Sequence, residues 1–189
     1  MKGQQKKYEL TGEFIEHWSG KKLYRIRALV SFGVVVAGQL GGFVESEKNL
    51  DQSLSGNAWV YGNARVYGNA WVSGNAWVSG NARVYGDARV YGNARVYGNA
   101  EVYGDARIRS YAVISERKMI FGATNVGSEN GTLTVFNGKD GLIVTRGCFT
   151  GTVDEFLSKS AEVHDDKTKN EYKLLIEVAK SRILGVKDE

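Results

Sequence analysis

The chain has 189 residues, of which 24% are charged and 42% hydrophobic, with a formal net charge of +4. This balance excludes wholesale disorder and a membrane-embedded class, and leaves room for one or two small domains with a real core. Twenty-four glycines without a single proline indicate many similar turns that need open backbone angles rather than fixed ones. Cys148, the one cysteine, excludes an internal disulfide framework and any multi-cysteine metal site. The residues after Met1 are polar where a signal peptide would be apolar, so a soluble protein of the cytoplasm is expected.

Residues 1–50 read as an N-terminal β cap. Strand-like runs at 8–18 and 23–29 are joined by Ser19-Gly20-Lys21, a hairpin turn, and 38–42 reads as a glycine-rich turn leading toward the first coil. Lys2, Lys6 and Lys7 could form a short phosphate-touching arm, but a solvated tail is the simpler expectation. His17 sits between Glu16 and Trp18 as a solvated strand residue.

Residues 51–126 carry a repeat of period six. From Gly56 the chain reads GNAWVY, GNARVY, GNAWVS, GNAWVS, GNARVY, GDARVY, GNARVY, GNAEVY and GDARIR. The spacing persists at Ala112, Ile114, Ile120, Gly122, Thr124 and Val126, and Leu54 falls one period before Val60. Within each hexad the residues alternate inward and outward, as in a short strand, and Gly-Asn or Gly-Asp supplies a corner. Three hexads close a triangular coil of about 18 residues, with Ala and Val inside. Stacked coils lie ~4.8 Å apart, and corner asparagines can form amide ladders. The fold class is mainly β: a parallel β-helix with an N-terminal hairpin cap and a C-terminal pair of helices.

Residues 127–151 form a terminal β segment with apolar runs at 133–136 and 142–145. Residues 152–189 are helical: Thr152-Val153-Asp154-Glu155 has the pattern of a capping box, followed by Phe156, Leu157, Ser160 and Val163 at helical spacing. A polar break at 164–170 precedes a second helix with Tyr172, Leu175, Ile176, Ala179 and Ile183 on one face, widened by Leu174 and Val178. These helices are expected to cap the last coil; their surplus apolar surface suits a homo-oligomer, a trimer in particular.

Outward positions sort into three faces. The first carries Trp59 and Tyr61, Trp77 and Ser79, Arg95 and Tyr97; the second Arg65 and Tyr67, Arg83 and Tyr85, Glu101 and Tyr103. The third carries Trp71 and Ser73, Arg89 and Tyr91, Arg107 and Arg109. Arginine interleaved with Trp and Tyr, with no lysine, suits stacking and bidentate phosphate contact, and is also the composition of protein interfaces. The candidate ligand-binding residues are Arg65, Tyr67, Arg83, Tyr85, Arg95, Tyr97, Tyr103, Trp59 and Trp77, and the candidate partner is a small nucleotide. The overall basicity is too mild to call for long nucleic acid. No metal is expected: Asp87 and Asp105 share a corner whose third rung is Asn69.

The repeats, with YELTGE upstream at Tyr8 and GCFTGT downstream at Gly147, resemble the hexapeptide-repeat β-solenoids of phages and prophages, whose relatives in enteric bacteria are labelled putative transferases. The resemblance implies a left-handed helix, frequent trimers and a phage origin, but no particular activity. Hexapeptide acyltransferases place a catalytic His between neighbouring solenoids, whereas His17 and His164 lie outside the repeats and no loop interrupts them. A non-enzymatic binding protein without a cofactor, sequestering a nucleotide signal of host defence, is therefore the expected function. The alternatives are an acetyl-coenzyme A-dependent acyltransferase with His17 as an unorthodox base, and a structural part of the virion.

Overall fold

A computed structural model describes residues 5–185. Strands β1 (Tyr8–Glu16) and β2 (Lys22–Ala28) form the expected antiparallel hairpin, with Gly20 at φ +81°. Of the expected turn at 38–42 only its start is a turn, Gly38 at φ 86°; from residue 40 the chain is extended, and β3 (Leu40–Val44) pairs antiparallel with β2 and runs on into the solenoid. Gly42 is required there, because a Cβ would lie 2.6 Å from the Ala64 carbonyl of the coil above.

Two-residue strands then recur at every sixth residue. They are β4 (Trp59–Val60), β5 (Arg65–Val66), β6 (Trp71–Val72), β7 (Trp77–Val78) and β8 (Arg83–Val84). After these come β9 (Arg89–Val90), β10 (Arg95–Val96), β11 (Glu101–Val102), β12 (Arg107–Ile108) and β13 (Val113–Ile114). Strands eighteen residues apart pair in parallel, and β3 joins below β5, giving faces β4-β7-β10-β13, β3-β5-β8-β11 and β6-β9-β12. The result is a parallel β-solenoid of about four turns, whose inward Ala and Val side chains are buried throughout. Glycine turns the corners from Gly62 to Gly104 at positive φ; at Gly86 (+71°) a Cβ would sit 2.9 Å from Gly104 N. Amide ladders form at the corners, Asn75 Nδ2 donating to Asn93 Oδ1 at 3.3 Å and Asn69 Nδ2 to Asp87 at 2.9 Å.

The two ends depart from the hexad pattern. Leu54 is exposed, and the rung beneath the first coil is instead filled by Val44 and Leu50, which pair with Val66 and Val72. That offset exceeds a regular coil, so 51–55 loops out as surplus. At the other end the last coil strand is β13. Residues 120–126, although they keep the hexad spacing, form β14 (Ile120–Val126), which opens an antiparallel sheet with β15 (Gly131–Gly138), β16 (Gly141–Arg146) and β17 (Phe149–Thr152). The capping box at Thr152 and Glu155 starts α1 (Val153–Val163), and the polar break is brief: Asp165 caps α2 (Asp166–Leu184). The helices do not cap the coil directly. Leu133 and Val135 of β15 face the helices with Phe156, Tyr172 and Ile176, while Phe136 faces the solenoid core, so the sheet caps the coil and the helices cap the sheet.

The basic tail also resolves differently. Lys7 is buried, its Nζ donating to the carbonyls of Gly56 at 3.4 Å and Ala58 at 3.2 Å, and Lys6 pairs with Glu47 at 2.7 Å. Lys2 lies outside the described residues. No helix among the described residues is long and apolar enough to cross a membrane.

The coils and their lower end can each be probed by one substitution. Gly86→Ala forces left-handed backbone on a residue with a Cβ and should cost at least about 1–2 kcal/mol in chemical denaturation. Lys7→Met leaves two buried carbonyls without a donor and should cost roughly 2–4 kcal/mol. Burial holds the Lys7 ammonium below its ordinary value of 10.5, with nearby Asp51 opposing. The unfolded chain then binds the extra proton in that window, so wild-type stability should climb relative to Lys7→Met as pH rises through the lowered value toward 10.5.

Candidate functional site

The three outward faces use similar residues to different ends. On the second face the tyrosines stack on one another: Tyr67 and Tyr85 lie 5.1 Å apart and 2° from parallel, Tyr85 and Tyr103 5.5 Å and 15°. The His17 ring closes the lower end of this column, 4.7 Å from Tyr67, so this histidine is half-buried packing and not a solvated strand residue. Burial, with Glu101 adding and Arg83 opposing at Tyr67, pushes the Tyr67 hydroxyl above its usual range; burial followed by Glu101 does so at Tyr85. Rings one rung apart already touch, so no base can slide between them. Two of the adjacent cations are engaged as well, Glu101 receiving Arg83 at 3.5 Å and Arg117 at 2.6 Å. Tyr67, Tyr85, Arg65 and Arg83 thus lie together, as the eighteen-residue spacing implies, in an arrangement that is chiefly structural.

The first face is interrupted. Its column reads Tyr61, Ser79, Tyr97, so the small Ser79 leaves Tyr97 with no stacked ring among the described residues. Trp77 tilts against Tyr61 at 5.3 Å, and the Arg95 guanidinium lies 5.1 Å from the Trp77 ring. A groove of ≈ 640 Å³ opens here, walled by Trp77, Arg95 and Tyr97 and by Tyr111 and Lys139 from beyond the repeats. Asn93 and Ser79 add hydrogen-bonding groups, and no carboxylate lines it. Trp59, one rung below Trp77, takes no part. It is fully buried, packed edge-on against Tyr8 at 6.1 Å and Phe32 at 5.4 Å, because the N-terminal cap folds over the first coil.

Tyr111 and Lys139 carried no periodic signal. Lys139 belongs to the β15–β16 turn, fastened by its N–H to the Tyr111 carbonyl at 2.9 Å. Ser110 takes the corner in place of glycine with φ 61°, which keeps the coil turning as far as Tyr111.

The third face anchors the C-terminal sheet. Arg109 donates to the carbonyls of Cys148 at 2.9 Å and Phe149 at 2.8 Å, and lies 5.8 Å from the Tyr91 ring. Arg89 and Arg107 share a cleft of ≈ 380 Å³ with Asp87 and Asp105. His164 caps α1, its Nδ1 3.2 Å from Ser160 Oγ, and faces the buried Tyr172 ring edge-on. Neither histidine lines the first-face groove, and no group of three or more His, Cys, Asp or Glu is gathered for a metal among the described residues.

The solenoid also matches a known repeat. Residues 58–74, 64–80, 76–89 and 88–102 match the profile of the YdcK beta solenoid repeat. The matched segments span the regular coils and stop short of both caps, so the similarity carries the fold and leaves the groove-forming residues Tyr111 and Lys139 outside it. No curated protein matches the chain.

The faces predict different costs for removing a ring. Tyr85→Ala deletes two stacks in the middle of a stacked column and should lower stability by about 1–3 kcal/mol, whereas Tyr97→Ala should cost less than about 0.5 kcal/mol. Urea denaturation of both variants checks the difference.

Proposed function

We propose that the chain is a non-enzymatic binding protein that captures a small nucleotide in the first-face groove. The observation that carries this reading is the pairing of exposed aromatic surface with Arg95 and Lys139 in a groove lined by no carboxylate. A base finds a stacking partner in Tyr97 or Tyr111, and a phosphate finds two cations without a competing anion. Arg95 already lies against Trp77, which pre-orients the guanidinium and lowers the entropy lost on binding.

The resemblance to phage solenoids supports a biological setting in which a phage-encoded protein, in the cytoplasm of its bacterial host, holds a nucleotide signal of host defence away from its receptor. The exposed Leu174 and Leu184 of α2 support a homo-oligomer, a trimer being the arrangement proposed. Nothing in the grooves favours acyl transfer, because the two histidines are engaged with Tyr67 and Tyr172.

A thermal-shift panel of mononucleotides, cyclic dinucleotides and acetyl-coenzyme A tests the reading. A nucleotide at a hundredfold its Kd adds about 2.7 kcal/mol to the folded state and should raise the midpoint by roughly 5–10 °C. Arg95→Gln and Trp77→Ala should each weaken binding about tenfold or more, a loss of about 1.4 kcal/mol. The reading fails if no nucleotide shifts the midpoint, or if the shift is indifferent to both substitutions. A shift with acetyl-coenzyme A alone would favour the transferase.

A further inference from the structure

The tyrosine column of the second face is closed at one end and open at the other. His17 covers Tyr67 below, but Tyr103, the top rung, stacks only on Tyr85 and is 58% exposed. The next rung of the repeat falls at Phe121, and Phe121 is carried away in β14, where it pairs with Val135 in the antiparallel sheet. The free face of Tyr103 therefore meets a groove of ≈ 1080 Å³ between the last coil, β14 and α2. We infer that this groove is a second, separate binding site, which takes a purine nucleotide whose base adds a ring to the column.

The chemistry of the walls suits that ligand. A purine has the flat area that a tyrosine face stacks against, and aromatic stacking of this kind tolerates any base. Phe121 and Val178 supply an apolar side wall. Arg182, projecting from the last turn of α2, supplies a guanidinium for the phosphate. Glu101 is already held by Arg83 and Arg117, and Glu177 lies 3.3 Å from Lys180 Nζ, which leaves Asp105 at the corner of the coil as the acceptor for an exocyclic or ring N–H of the base. Thr132 and Ser181 offer hydroxyls to the ribose. The first-face groove contains no acidic residue and this one does, so the two differ in what they ask of the base edge.

The inference goes beyond the first-face reading and is tested apart from it. Equilibrium dialysis with AMP and with GMP, at concentrations up to millimolar, should give one nucleotide per protomer for each groove. Tyr103→Ala should remove the second-face site and leave any site that depends on Trp77 intact; Trp77→Ala should do the reverse. Tyr103→Phe should retain the site, since the ring and not the hydroxyl does the stacking. Arg182→Gln, an exposed helix position that leaves the column untouched, should weaken the Tyr103-dependent site about tenfold, equivalent to about 1.4 kcal/mol. Binding that disappears with Tyr103→Ala but ignores Trp77→Ala would uphold this inference while sinking the first-face reading. Binding that is unchanged by both Tyr103→Ala and Arg182→Gln, or no binding of either nucleotide, would overturn it.

Discussion

Everything in this molecule depends on the polarity of the backbone hydrogen bonds in the coils. The first N–H of each strand points one way, donating to a carbonyl in the coil above: Trp59 N to Ala76 O at 3.1 Å, Arg65 N to Ala82 O at 2.9 Å, Trp71 N to Ala88 O at 3.0 Å. The corresponding carbonyls of the first coil, those of Ala58, Ala64 and Ala70, have no coil beneath them and need donors from elsewhere. Each face finds one. Lys7 serves Gly56 and Ala58, β3 donates through Phe43 N and Glu45 N to Ala64 and Val66, and Asn49 Nδ2 serves Gly68 and Ala70. A buried lysine and a buried asparagine would be expensive anywhere else in a core of Ala and Val. At a row of acceptors, each removes more unmet hydrogen-bonding demand than it creates.

The outward faces obey a second constraint, which is that side chains eighteen residues apart are one rung apart and must either stack or leave a gap. Three tyrosines in succession close on themselves and stiffen the prism. A serine between two tyrosines leaves a slot. The same repeat can therefore build a structural rib on one face and a binding surface on another without any change in backbone. Charge obeys this division too: Arg83 beside the stacked column is paired with Glu101, while Arg95 beside the gap sits on Trp77.

The coil interior, the glycine corners, the hairpin, the capping box at Thr152 and the Tyr67-Tyr85-Tyr103 column were all legible in the sequence. In each case the signal is local or strictly periodic, and the physics acts over one turn or one rung. What was not legible involves contacts between distant segments. Trp59 has the same hexad environment as Trp77, yet it is buried, because only the first coil lies beneath Tyr8 and Phe32. Lys7 reads as tail until the carbonyl row that it satisfies is known. Val44 and Leu50 fill a rung without obeying the period, since 51–55 loop out between them and the first coil. Conversely, Gly122, Thr124 and Val126 obey the period and leave the solenoid, because β14 is claimed by pairing with β15.

That last departure explains where the grooves are. The fourth coil is abandoned after β13, so the outward side chains of the third coil lose the neighbours that would have covered them. Tyr103 loses its next rung when Phe121 departs, while Tyr97 lies between the small Ser79 and Ser115, and these two uppermost tyrosines of their faces keep exposed ring surface. The segments that cap the coil then supply the opposite walls: Lys139 from the β15–β16 turn on one face, Arg182 and Val178 from α2 on another. A regular solenoid is a smooth prism with nowhere for a small ligand to lodge. Concave surface arises where the repeat stops and a different kind of structure takes over, and the chemistry of this chain is concentrated at that junction.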